Sequence, residues 1–303
     1  MKITYLPHAN IDKQKWDGCI DMATNGLVYA YSFYLDAMSR HWDALVMNDY
    51  EMVMPLTWNK KYGFRYLYPP FYCAQLGIFG NNITGPMVNA FLCHIPPKFK
   101  YWDIYLNKNN LFALPAFPMV EKSNYVLLLN TTYEVLQKKY AESHRRNISR
   151  AIKAGNTFRR DVPVADVISL AAAQAKNFSP IAQKDFDNFS KLFALLHSKQ
   201  MARCYGVFDQ NNQLTASCAF VFSHHRAYYI LVGNHPNGRT SGASHLLIDQ
   251  FIQENAGKNL LLDFEGGNIN GIGFFYKSFG ASPEKFAWLK MNRLPAVARL
   301  FRK

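Results

Sequence analysis

The most informative part of the sequence is LLLDFEGGNINGIGFFYKSFGA, residues 260–281. Its apolar beginning predicts a strand over 260–264, and the aromatic run after the double glycine predicts a short helix over 270–278. Upstream, apolar residues at helical spacing predict a helix over 243–255. Segments rich in small, β-branched and aromatic residues predict further strands over 204–209, 214–222, 227–233 and 285–291. The second half of the chain is therefore predicted to be an α/β structure.

Two carboxylates and a lysine in this stretch are candidate catalytic residues. Asp263 and Glu265 end the predicted strand, where carboxylates can act as bases or bind an amine. Lys277 lies in an aromatic run beside Tyr276, and a lysine there can stabilise an oxyanion. The alternatives are that Asp263 caps the following helix and that Lys277 is an ordinary surface residue.

The densest basic segment is KKYAESHRRNISRAIKAGNTFRR, residues 138–160, within a helix predicted over 131–154. Arg146, Arg150 and Lys153 share one face of that helix, and we expect them to bind an anionic substrate because arginine suits phosphate. The opposite, apolar face is predicted to consist of Ile148, Ala151 and Ile152. A solvated basic face paired with acids elsewhere is the alternative.

A second candidate anion site is the loop NHPNGRTSGASHLL, residues 234–247, which leaves a strand and enters a helix. Backbone N–H groups at the start of a helix bind anions. We expect the phosphates of an acyl donor near Arg239, Gly242, Ala243 and Ser244, with glycine allowing close approach to the backbone. The alternative is an ordinary strand-to-helix turn.

The first half of the chain shows a similar order of elements. Strands are predicted over 42–47, 51–58 and 101–106, with a helix near 86–94. An ancient duplication explains this similarity, although two unrelated α/β domains would give the same pattern.

Charge differs sharply between the two halves. Residues 1–130 hold 11 basic and 9 acidic groups, whereas residues 131–303 hold 23 and 12. We therefore predict an N-terminal domain over 1–130 that shapes an acceptor groove and a C-terminal domain over 131–303 that binds the donor. The aromatic segment 60–80 either lines that groove or forms an inter-domain seam.

Composition narrows the class of protein. Thirty-four basic against 21 acidic residues give a net charge of +13, which favours an anionic partner. The five cysteines include no Cys-x-x-Cys pair, so a reduced, cytoplasmic protein fits best. The first residues contain no apolar core of signal-peptide length and no apolar run reaches roughly 18 residues, so we expect neither a signal peptide nor a membrane-spanning segment. The spacing of the histidines gives no convincing metal-ligand set.

Four segments together resemble the FemAB-like branch of the Gcn5-related N-acetyltransferase (GNAT) superfamily. YAESHRRNISRAIKAG (140–155) is similar to the family's basic helix, and RTSGASHLLIDQFI (239–252) to its central turn and helix. LDFEGGNINGIGFFYKSFGA (262–281) is similar to its strand, double glycine and aromatic-lysine run. WDALVMNDYEMVMPLTW (42–58) resembles the first-domain meander of its relatives.

The resemblance implies two tandem GNAT-like (acyl-CoA N-acyltransferase) domains, each a mixed, largely antiparallel sheet flanked by helices. It implies acyl transfer to an amine by direct attack, with Lys277 at the acyl-donor end and Tyr276 binding substrate beside it. No tightly bound cofactor is expected. The donor is either acyl-CoA or aminoacyl-tRNA, because residues 239–243 match the coenzyme-A loop only loosely. The acceptor is a small-molecule or cell-wall precursor amine. An RNA-binding protein and a catalytically degenerate relative are the alternatives.

Overall fold

The computed structural model describes residues 2–176 and 181–295, and the chain divides into two units. The first unit comprises the residues up to Lys122 and those from Lys285 onward, and the second runs from Ser123 to Glu284. The boundary predicted at 130/131 lies near the point where the first unit passes into the second, between Lys122 and Ser123. The chain returns to the first unit at Lys285, within the last strand, which the sequence prediction gives to the second domain.

The secondary structure follows the predicted alternation of strands and helices. In chain order the elements are β1 (Ile3–Leu6), α1 (Lys13–Met22), α2 (Ser32–Met38), β2 (His41–Met47), β3 (Met52–Lys61), β4 (Phe64–Leu67), β5 (Phe79–Gly80), α3 (Gly85–Cys93), β6 (Phe99–Leu106), β7 (Met119–Leu128), α4 (Tyr133–Lys138), α5 (Glu142–Lys153), β8 (Thr157–Arg160), α6 (Val164–Ala175), α7 (Gln183–Ser198), β9 (Ala202–Phe208), β10 (Leu214–Ser223), β11 (Arg226–Asn234), α8 (Pro236–Ser241), α9 (Ala243–Asn255), β12 (Leu261–Asp263), α10 (Asn270–Lys277) and β13 (Ser282–Asn292).

The first unit is built on a mixed sheet with strand order β1-β2-β3-β4-β6-β13, and β5 pairs with β3. Its pairs are antiparallel except β4 with β6. Its core gathers large apolar side chains from the strands and from α3, including Leu45, Met54, Phe91, Phe99 and Trp102. Residues that alternate along β6 are buried, as expected for a strand with one face on a core.

The second unit has a sheet of strand order β7-β12-β11-β10-β9-β8, antiparallel except where β11 meets β12. Helix α9 packs on this sheet, and the ring of its Phe251 stacks on Phe220 of β10 at 3.8 Å. Helix α5 packs against α9, and α6 packs against β11. Both units are thus α/β structures with largely antiparallel sheets, as predicted.

Several details of the prediction are corrected by the structure. The helix predicted over 131–154 is two helices, α4 and α5. Ile152 is 57% exposed, so the apolar face of α5 is formed instead by His144, Ile148 and Ala151, which recur at spacings of four and three. The loop expected before α9 contains the short helix α8. No helix in the described parts of the chain combines the length and apolarity needed to cross a membrane.

Candidate active site in the second unit

The basic helix and the turn before α9, which the sequence identified separately, lie together in the structure. Arg150 of α5 donates a hydrogen bond from Nη1 to the carbonyl oxygen of Thr240 at 3.3 Å. Gly242 has φ +85°, and a Cβ placed there would lie 2.4 Å from the carbonyl oxygen of Asn147. Glycine is therefore required at 242 because α5 approaches its backbone closely. Helix α5 therefore fills the space on the Cβ side of Gly242.

The neighbouring residues of the predicted donor loop are also engaged by the protein. Ala243 is completely buried in the core of the second unit. The Ser244 hydroxyl donates a hydrogen bond to the side-chain oxygen of Asn234. Arg239 belongs to α8, and its side chain lies outside the described part of the structure. Gly242, Ala243 and Ser244 thus also have contacts within the protein, and their part in donor binding stays a prediction.

The basic face of α5 is exposed to solvent. Arg146 lies 3.7 Å from Glu142, and both side chains are more than two-thirds exposed, so this ion pair contributes little to stability. Arg150 and Lys153 continue the same face and are exposed as well. These three cations are the part of the predicted anion site that remains available to a ligand.

A histidine pair, His144 buried and His245 half-buried, joins α5, α9 and α10, and no motif in the sequence indicated it. His144 donates from Nε2 to the carbonyl oxygen of Phe275 at 3.0 Å, and its ring lies 4.5 Å from that of His245. Asn147 donates to Nε2 of His245 at 3.1 Å. Burial lowers the pKa of both histidines, that of His245 to about 4. The spacing of His144 with Ile148 and Ala151 was the available signal for burial.

Asp263 lies in a buried ion-pair network at the end of β12. Its Oδ2 accepts from Nη1 of Arg226 at 2.5 Å, and the same guanidinium contacts Glu284 at 2.9 and 3.0 Å. Its Oδ1 accepts from Nδ2 of Asn124 at 2.7 Å and from the backbone N–H of Glu265 at 2.9 Å. Both oxygens are thus engaged, and Asp263 caps no helix because α10 begins only at Asn270. The contacts favour a positioning role over that of a base.

The network fixes the loop that carries Glu265. The Oδ1 atom of Asn124 accepts from the N–H of Gly266 at 2.8 Å, so Asn124 and Asp263 hold consecutive amides of this loop. Glu265 itself has φ +61°, a conformation that non-glycine residues rarely adopt. Gly267 follows with φ +148°, and a Cβ there would lie 2.3 Å from the ring of Tyr125. Close packing therefore explains Gly267, whereas a Cβ at Gly266 would meet no atom within 4 Å.

Glu265 is the carboxyl group that the fold perturbs most clearly. Its side chain is partly buried, and burial raises its pKa from 4.5 to about 8. The charges of Glu265 and Asp263 add to the effect of burial in raising the pKa of Tyr276, so the three groups lie within electrostatic reach. Strongly perturbed groups that share one environment mark candidate functional sites.

Tyr276 and Lys277 lie on α10 and point into different surroundings. The ring of Tyr276 stacks on that of Phe264 at 4.5 Å and is largely enclosed. Lys277, at the end of the helix, is exposed, as is Phe274 one turn before it. Lys277 is therefore accessible to a substrate, and Phe274 does not shield it from water. Its role in stabilising an oxyanion stays a prediction.

Known structures share this fold at low sequence identity. FemX matches with a TM-score of 0.68 and 12% identity, over 100% of both chains. L-PGS from Bacillus licheniformis matches with a TM-score of 0.58 and 11% identity, over 95% of this chain and 94% of that one. A GCN5-related N-acetyltransferase from Sphaerobacter thermophilus matches with a TM-score of 0.50 and 11% identity, over 97% and 96%.

Sequence comparison adds nothing to this likeness, because neither a protein-family model nor a curated protein matches the chain. At 11–12% identity the three structures establish the fold alone. The chain has the FemAB- and GNAT-like fold that its segments resemble.

Proposed function

We propose that this protein is an acyltransferase that moves an acyl or aminoacyl group to an amine. The fold shared with FemX and a GCN5-related N-acetyltransferase supports the reaction class. We further propose that the two units are tandem GNAT-like domains, with the second binding the donor and the first shaping the acceptor groove. The acceptor would be a small-molecule or cell-wall precursor amine in the cytoplasm.

The observation that carries the proposal is the raised pKa of Glu265 in a loop that hydrogen bonds hold in place. An amine must be deprotonated before or during its attack, and a base works best when its pKa lies near the operating pH. A carboxylate with a pKa of about 8 is a much stronger base than an ordinary glutamate. Asn124 and Asp263 fix the backbone on either side of it, so its position is defined.

The proposed reaction is a direct displacement without a covalent enzyme intermediate. The amine nitrogen forms a bond to the acyl carbon, and the bond from that carbon to the oxygen or sulfur of the donor breaks. The proton lost by the nitrogen passes to the Glu265 carboxylate, and the leaving oxygen or sulfur departs with the bonding electron pair. Lys277 and the Tyr276 hydroxyl are the candidates for stabilising negative charge on the acyl oxygen.

The donor is an acyl-CoA thioester or an aminoacyl-tRNA ester, neither of them held as a tightly bound cofactor. The exposed cations Arg146, Arg150 and Lys153 suit the phosphates of either donor. Because Gly242 is closed by α5, we place these phosphates on the exposed face of α5 and not against the start of α9.

The test is acyl transfer from acetyl-CoA or bulk aminoacyl-tRNA to a panel of amines, read by mass spectrometry. The pH profile of kcat/KM should rise with an apparent pKa near 8. Glu265→Gln should lower kcat about 100-fold or more, since general base catalysis typically contributes that much. Glu134→Gln, on the exposed surface of α4, is the matched control. A pH-independent rate or an active Glu265→Gln protein would refute the assignment.

A second candidate function is RNA binding without catalysis, favoured by the exposed basic face of α5. Such binding should weaken steeply with salt, because each neutralised phosphate releases counterions. The double variant Arg146→Glu, Arg150→Glu should nearly abolish it. Salt-sensitive RNA binding by a protein that transfers no acyl group to any amine would favour this candidate.

A further inference from the structure

The first unit contains a cavity of about 160 Å³ that is unrelated to the site around Glu265. It lies where the turn after α2 enters β2, and β3 forms its far wall. The side chains that matter to its chemistry are those of Asp36, Arg40, His41, Asp43 and Trp58. His41 and Trp58 are opposite each other in the β2–β3 register, and their rings stack at 4.4 Å.

The two carboxylates of the cavity already have cationic and hydrogen-bonding partners. Asp36 accepts from Lys13 at 2.6 Å, from His8 at 2.8 Å and from the indole of Trp42 at 2.9 Å. These hydrogen bonds outweigh the effect of burial and lower its pKa, so it is ionised at neutral pH. Asp36 is therefore poorly suited to hold a further cation.

Asp43 is satisfied in the same way. It accepts from the hydroxyl of Tyr5 at 2.5 Å and from the backbone N–H of His8 at 3.1 Å, and Lys98 lies 3.6 Å away. Each carboxylate is thus matched by one lysine. Groups of histidine, cysteine, aspartate and glutamate able to hold a metal ion are also absent from the described residues. A cationic ligand is consequently disfavoured at this cavity.

The groups that remain are hydrogen-bond donors. Arg40 forms no ion pair among the residues that the structure describes, and its guanidinium offers donors only. The indole N–H of Trp58 is buried and has no hydrogen-bond partner in the same part of the chain. The guanidinium of Arg65 lies over the Trp58 ring at 4.9 Å and adds positive potential to this wall.

An arginine without an ion pair, near the second guanidinium of Arg65, matches a ligand that supplies acceptors and negative charge. The volume limits its size, because a cavity of about 150 Å³ holds a molecule as large as benzene. We propose that this cavity binds a small anion, an organic carboxylate or a phosphate monoester, with Arg40 as its charge partner and the Trp58 ring in its wall.

The experiment follows the indole N–H signals of the protein by NMR during titration. Benzoate and phenyl phosphate are the anionic probes, and benzamide is the neutral molecule of nearly the same shape. Trp58→Phe identifies the signal of Trp58 and keeps the ring that stacks on His41. We expect either anion to shift that signal at millimolar concentration, and the tighter of the two to identify carboxylate or phosphate as the preferred group. Benzamide should bind at least about tenfold more weakly, as for loss of a charged hydrogen bond.

Arg40→Gln should weaken anion binding by about tenfold or more, for the same reason. Lys60→Gln, exposed on β3 and outside the cavity, is the charge-matched control and should bind normally. Circular dichroism of each variant establishes that it is folded. The proposal is overturned if no anion shifts the Trp58 signal, if benzamide binds equally well, or if folded Arg40→Gln and Lys60→Gln bind alike.

Discussion

The junction of α5 with α9 and the loop that follows β12 lie in the same unit, and each carried a site prediction, but the structure treats them differently. At the junction, packing accounts for the glycine and small residues that suggested a phosphate cradle, because α5 fills the space at Gly242. In the loop, two hydrogen-bond partners position a glutamate whose pKa burial raises to about 8. The left-handed conformation of Glu265, together with its raised pKa, is the better indicator of function.

The largest expected effect concerns Glu265 and the pH dependence of stability. In the unfolded chain this group ionises near pH 4.5, and in the folded protein near 8. The folded state therefore binds more protons between these values, and stability should fall as pH rises from 4.5 to 8. The upper bound on this loss is about 5 kcal/mol, from the roughly 1.4 kcal/mol that each pKa unit represents.

Glu265→Gln keeps the size of the side chain but cannot ionise, so it should remove this loss. Urea unfolding at pH 5, 7 and 9 measures the difference from the natural protein. Glu134→Gln, on the surface of α4, should leave the pH dependence as it is. Parallel stability curves for Glu265→Gln and the natural protein would show that burial does not perturb Glu265.

The next prediction isolates the close approach at the junction. Gly242→Ala introduces a Cβ that meets the backbone of α5, at a φ of +85°. The expected loss of stability is about 3 kcal/mol, from left-handed strain and a backbone clash together. Gly257→Ala is the matched control, since Gly257 has φ +81° and open space around it. It should lose only about 1 kcal/mol. Equal losses of stability for the two variants, in thermal or urea unfolding, would mean that α5 shifts to make room for a Cβ at position 242.

His245, at the junction of α5 with α9, should give stability a pH dependence opposite to that of Glu265. Burial is the largest cause that lowers its pKa from 6.5 to about 4, and the nearby His144 and Arg150 add to it. The unfolded chain binds more protons between these values, so stability should be lost as pH falls from 6.5 to 4. We expect a loss of about 2 kcal/mol, less than the full shift because His245 is only partly enclosed.

His245→Gln should flatten the acid limb of the stability curve, measured by urea unfolding at pH 4.5, 5.5 and 7. His225→Asn, in an exposed turn, serves as the control. If His245→Gln becomes less stable by the same amount at every pH, the ring contributes packing and its protonation is irrelevant.

The sequence predicted the order of strands and helices well, because periodicity and turn residues are local. It could not predict which residues at the ends of elements were engaged by distant partners. Asp263 meets Arg226 and Asn124 only through tertiary contacts, so its ion pairs have no local pattern. His144 could have been assigned to a buried face from its spacing with Ile148, but its contact with Phe275 depends on how α5 meets α10.

The smallest expected effect on stability is that of Arg150, which distinguishes packing from binding at the junction. Its one described hydrogen bond, to Thr240, is exposed and long at 3.3 Å. Arg150→Gln should therefore change the free energy of unfolding by less than about 0.5 kcal/mol, as for most surface substitutions. Gly242→Ala lies at the same junction, so the pair compares backbone packing with an exposed charge. A loss above about 1.5 kcal/mol for Arg150→Gln would exceed a surface effect. Arg150 would then stabilise the packing of α5 against α9, as Gly242 does, and the cations of α5 would no longer indicate an anion-binding site.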